Sequence, residues 1–138
     1  MIKRLRIYKI FFTVIILFTF TGCDDTVSAA LDEEFDIGLN QKAVIKENDI
    51  EITFIKVVED GRCPKGAECV WEGNGKVQIL IKHNGLASEI KDLNTALEPQ
   101  RASTGDFIIR LLDMQPYPEV GATITPEKYR IKLIVKKG

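Results

Sequence analysis

The stretch Tyr129-Arg130-Ile131-Lys132-Leu133-Ile134-Val135-Lys136 decides the reading of the fold. Tyr129, Ile131, Leu133 and Val135 point to one side of an extended chain and Arg130, Lys132 and Lys136 to the other, with Ile134 alone breaking the pattern. Side chains alternate with a period of two along a strand, so such a segment buries one face and wets the other. The same alternation runs upstream. Val77, Ile79 and Ile81 alternate with Lys76, Gln78 and Lys82, and the run ends at Asn84-Gly85, a strong hairpin signal that predicts a return strand over 86–93. Ile50, Ile52, Phe54 and Val58 share a face of another strand, and 107–114 is apolar on both sides, as a central strand would be. Shorter strands are expected at 35–37 and 43–45. Turn residues fall between these runs, at Asn48-Asp49, Asp60-Gly61, Gly105-Asp106 and from Pro116-Tyr117-Pro118 to Gly121. No long helical stripe competes; residues 92–99 allow one or two helical turns ended by Pro99. The expectation is an all-β domain, a small antiparallel sandwich or a small barrel.

Ahead of this pattern lies a segment of another kind. Lys3, Arg4, Arg6 and Lys9 precede an apolar run from Ile10 to Phe20, and no acidic residue occurs before Asp24. A basic end followed by an apolar run is the layout of an export signal, and the run is short of the ~20 residues a membrane-spanning helix needs. It is followed by Phe20-Thr21-Gly22-Cys23, which resembles the lipobox of bacterial lipoproteins. The resemblance implies cleavage before Cys23 and acylation of that cysteine with a thioether-linked diacylglycerol and an N-linked chain such as palmitate, giving a stable membrane anchor. Ordinary signal cleavage at Val27-Ser28-Ala29 is the competing reading, but a polar stretch with Asp24 and Asp25 would separate that cut from the apolar run. The organisation expected is a signal peptide at 1–22, a lipidated cysteine with an acidic tether at 23–34, and one β domain at 35–138.

Removing 22 residues from the 138 leaves 116, a single-domain length. The signal holds four of the 19 basic residues and none of the 20 acidic ones, so the remainder carries 15 against 20. That balance of about −5, with basic residues scattered along the sequence, gives no electrostatic reason to expect nucleic acid.

With Cys23 assigned to lipid, Cys63 and Cys69 remain, separated by Pro64-Lys65-Gly66-Ala67-Glu68. Two cysteines this close in an exported chain are most simply a disulfide, and a structural zinc site would want four N/S ligands where His83 is the only histidine. Cys69 and Trp71 are two apart and would share a side of an extended chain. The indole then either shields the bridge or stands out as a contact residue. Gly73-Asn74-Gly75 is expected to form a bulge or tight turn.

The stretch Arg62-Cys63-Pro64-Lys65-Gly66-Ala67-Glu68-Cys69-Val70-Trp71-Glu72-Gly73 resembles a signature of small bacterial envelope proteins of unassigned function, of the form RCPxGxxCxWxG. It implies a compact β domain with a disulfide in the loop and brings no activity. Arg62, Lys65 and Trp71 are the candidate contact residues if the loop binds.

Catalytic groups are sparse: His83 beside a hairpin turn, Ser88, Ser103, and no thiol once Cys63 and Cys69 pair. Adjacent carboxylates such as Glu59-Asp60 diverge on a strand and make poor acid/base pairs. No catalytic residue, cofactor or metal is expected. The functional expectation is a lipid-anchored envelope binding module, against a purely structural accessory lipoprotein or an inhibitor of an envelope hydrolase working through the 64–68 loop.

Overall fold

A computed structural model describes residues 25–138. The signal peptide expected at 1–22 and the lipobox-like stretch ending at Cys23 lie outside the described residues. The described chain forms nine strands: β1 (Thr26–Ser28), β2 (Glu34–Gly38), β3 (Lys42–Ile45), β4 (Ile50–Asp60), β5 (Gly75–His83), β6 (Glu89–Asn94), β7 (Arg101–Thr104), β8 (Phe107–Gln115) and β9 (Arg130–Lys137). Only two single-turn 3-10 segments, Lys46–Asn48 and Pro126–Lys128, interrupt them.

Two sheets result, one ordered β1-β3-β4-β5-β6 and the other β2-β9-β8-β7, and they do not close into a barrel. The sandwich is therefore the architecture. Pairing is antiparallel except between β1 and β3, where Thr26 to Ser28 run parallel to Lys42 to Val44. The alternation read from the sequence is the reason the sheets face each other: Ile131, Leu133 and Val135 of β9 meet Ile50, Ile52, Phe54, Val77, Ile79 and Ile81 of the other sheet in one core. Each such side chain contributes about 1.5–3 kcal/mol on burial.

Five expectations need correction. The acidic stretch after Asp24 is not a free tether, because β1 pairs with β3, Val27, Ala29 and Leu31 pack on the core, and the Asp32 amide donates to the Val135 carbonyl at 2.9 Å. Its alternate apolar residues outweigh its charges. Val58 does not share the face of Phe54: two bulges in β4, at Phe54/Lys56 and Val57/Glu59, each add a residue and reverse the sidedness, leaving Val58 43% exposed and Val57 against the core. The return strand runs Glu89–Asn94: the Leu86 amide closes a turn on the His83 carbonyl at 2.9 Å, and pairing with β5 begins only at Ile81 and Glu89. Residues 92–94 are strand and 95–98 a bend, with no helical turn, because Asn74 Oδ1 accepts from the Ala96 and Leu97 amides. Finally, β8 is central in its sheet, yet its apolar residues divide: Ile109, Leu111 and Met114 are buried in the core and Phe107 packs against it, while Ile108 and Leu112 lie on the uncovered side.

Among the described residues every core residue lies between Val27 and Val135, so a fragment spanning 25–138 holds that core. That fragment should give a β-dominated far-UV spectrum. Starting it at Asp32 instead removes β1 and should lower stability by about 2 kcal/mol, read from the denaturant midpoint; an unchanged midpoint would show that β1 contributes nothing to the packing.

Candidate functional site

The long connection from β4 to β5 collects at one end of the sandwich with the segment between β8 and β9. The β4–β5 ladder does not stop at Asp60 and Gly75. It continues as Gly61 N–H donating to the Asn74 carbonyl at 2.8 Å and Cys63 N–H to the Glu72 carbonyl at 2.7 Å. Only then does the chain leave the ladder to form the Cys63–Cys69 ring, whose disulfide spans a Cα separation of 6.0 Å. Lys65 ties this ring to the other sheet's connection: its amide donates to the Pro118 carbonyl at 2.9 Å, and its carbonyl accepts from Val120 N–H at 3.1 Å.

Arg62 is the hinge of the arrangement. Sequence reasoning placed it among contact residues, but it is 6% exposed and its guanidinium is used within the fold. Nε and Nη2 donate to Asp60 Oδ1 and Oδ2 at 2.7 Å each, a two-pronged pair. Nη2 also donates to the Pro116 carbonyl at 2.9 Å, and Nη1 to the Met114 carbonyl. Tyr129, at the start of β9, donates its hydroxyl to Asp60 Oδ2 at 2.9 Å. The Tyr117 ring stacks beside the guanidinium, 5.0 Å from Cζ, with Lys65 Nζ 5.8 Å from the same ring.

Burial by itself would raise the Asp60 pKa, but the hydrogen bonds from Arg62 and Tyr129 and the guanidinium charge outweigh it and hold the carboxyl below its ordinary 3.8. Tyr129 moves the other way, pushed up to about 12 by burial and by the hydrogen bond to the Asp60 carboxylate and its charge.

Two further motif positions are architectural. Gly73 has φ +76, and a Cβ there would meet the Gly61 carbonyl oxygen at 2.1 Å, so no other residue fits. Asn74 is buried, donates to Asn94 Oδ1 at 2.9 Å, and clamps the 95–98 bend with its own oxygen. The expected bulge at 73–75 is thus a packed crossing; the bulges sit in β4.

What the ring presents outward is different. Val70 is fully exposed, and Trp71 is 53% exposed at a bend, not on the extended chain that would have turned its indole onto Cys69. Lys65 is exposed as well. Of the three contact candidates, Lys65 and Trp71 share this surface and Arg62 lies beneath it. Asp60, Asn74, Tyr117 and Tyr129 escaped sequence reading; a charged residue two before a buried Arg and an Asn between glycines were the available signals.

At the opposite end, beside the Asn84-Gly85 turn, His83 is half-buried: Nδ1 lies 3.2 Å from Thr104 Oγ1 and the ring packs edge-on to Phe107. Among the described residues no group of His, Cys, Asp or Glu is placed to hold a metal. Compared with family models, with curated proteins and with solved structures, the chain finds no match.

The ion pair should matter more than the disulfide. Arg62→Ala strands a partly buried carboxylate and should cost about 3–5 kcal/mol, against about 2–2.5 kcal/mol for reducing so small a ring. Because the folded Asp60 pKa is depressed, its stabilisation is present above about pH 4 and lost as pH falls through the folded value. Chemical denaturation of Asp60→Asn across that range should show a shallower acid slope than the unaltered protein; parallel slopes would contradict the assignment.

Proposed function

We propose that this chain is a lipid-anchored protein of the bacterial cell envelope, held through Cys23, whose β domain is a non-catalytic binding module using the end of the sandwich that carries Lys65 and Trp71. One observation carries the reading. A large indole stands 53% exposed just past Cys69, in a loop that is fastened from behind three ways, by the disulfide, by the Lys65 bonds to 118–120, and by Arg62. A residue needed only to cover the bridge or cap the core would be expected to be shielded, since burying an aromatic is where its packing energy arises. An exposed Trp on a pre-ordered loop loses little conformational freedom when a partner covers it.

The titratable groups near this surface support a non-catalytic role. Asp60, Arg62 and Tyr129 satisfy one another and two backbone carbonyls, leaving them engaged as structure.

Two measurements test the two halves of the reading. Cys23→Ser should abolish acyl labelling and leave unprocessed or wrongly processed chain in the membrane fraction; normal labelling would sink the anchor. Trp71→Ala should shift stability by less than about 0.5 kcal/mol while reducing recovery of envelope proteins crosslinked to the anchored domain. A loss of about 3 kcal/mol or more would return the indole to the core.

A further inference from the structure

The cations of the described surface are unevenly placed. On the outer face of the four-stranded sheet, Arg101 of β7 and Arg110 of β8 are direct cross-strand partners, both exposed. Like charges in direct register destabilise a strand pair, and neither guanidinium is in an ion pair among the described residues. Lys136 stands opposite Ile108 and adds a third charge, while the nearby Glu34 is already 3.6 Å from Lys132. Between these cations run Ile108, Ile134 and the 37% exposed Leu112, which with the basic residues and the single carboxylate of Glu34 line a shallow hollow of about 360 Å³. The chain as a whole is net acidic, so this concentration runs against its overall balance.

We propose that this face docks on a bilayer surface bearing anionic phosphate headgroups. Cations interleaved with aliphatic side chains on a broad sheet suit the headgroup region, where charge is met by phosphate and apolar groups reach the acyl boundary. A peptide strand could add only along the open edges, β2 and β7, and not across the basic face itself, because β8 and β9 already have a hydrogen-bonded neighbour on each side. The anchor reading above, on which this part rests, adds only nearness to the bilayer: Thr26 opens β1 three residues after Cys23, a reach of at most about 10 Å, and β1 is an edge strand of the other sheet, from which the chain crosses to β2 at the edge of this one.

The 25–138 fragment, which lacks Cys23, tests the face independently of the anchor, while acyl labelling of the full chain reports on the anchor alone. The fragment is sedimented with vesicles of phosphatidylcholine containing phosphatidylglycerol and with vesicles of phosphatidylcholine only. It should bind the anionic vesicles, weaken with salt, and ignore the neutral ones. The Arg101→Glu/Arg110→Glu pair should weaken binding about tenfold or more. Lys46→Glu/Lys82→Glu, an equal charge change on the other sheet's side, should stay within about twofold. Should the arginine pair unfold the fragment, Lys136→Glu serves in its place and should also weaken binding severalfold. No sedimentation with anionic vesicles, equal binding to both vesicle types, or equal losses in the two double variants would overturn the proposal.

Discussion

Asp60 stands at the last position of β4, where the five-stranded sheet gives way to its longest loop, and two side chains reach its carboxylate. Arg62 comes from two residues along the same chain, and Tyr129 from the start of β9 in the other sheet. Because Arg62 also holds the carbonyls of Met114 near the end of β8 and of Pro116 just past it, one carboxylate and one guanidinium bind two strands, β4 and β8, and the connections that follow them together. With side-chain exposures of only 5% and 12%, the pair is shielded enough for its loss to be felt through the unpaired partner more than through the lost attraction. A lysine could not replace this arginine, since a point charge offers no fork to span both carboxylate oxygens and both carbonyls.

That constraint divides the cysteine loop into two parts with different duties. Arg62, Gly73 and Asn74 are spent inward, on the ion pair, the close crossing over Gly61 and the clamp on the 95–98 bend. Lys65 on the ring, and Val70 and Trp71 just past it, are left outward in the loop that these contacts hold still. The disulfide alone would make a closed ring free to swing on its stem. The hydrogen bonds of Lys65 to 118–120 and the ladder extending past Gly61 prevent that, and this is the physical sense in which the exposed indole is pre-positioned.

The two sheets also differ in what their outer faces offer. The outward positions of β7, β8 and β9 gather arginines and lysines around Ile108 and Ile134, although in the sequence those basic residues are spread over more than thirty positions. Scattered charge along a chain is no guide to scattered charge on a surface, because cross-strand register sets which residues meet.

The sequence by itself determined the class of fold and the side on which most strands bury. A period of two is a local property of the extended backbone, and β5 and β9 keep alternate residues buried along their length even though Ile134 breaks the pattern of side chains, so Val77, Ile79, Ile131 and Leu133 were legible as core. The disulfide was legible for a similar reason: two cysteines flanking a Pro and Gly turn can reach one another without help from the rest of the fold. Only the tertiary structure decided the remainder. Bulges reversed β4 beyond Phe54, distant amides of 96 and 97 captured by Asn74 replaced an expected helical turn, and pairing with β3 drew an acidic tether into a sheet. Arg62 was the plainest case, since its polarity suggested a surface contact while its burial depends on Asp60, Tyr129 and two carbonyls that no local pattern brings together.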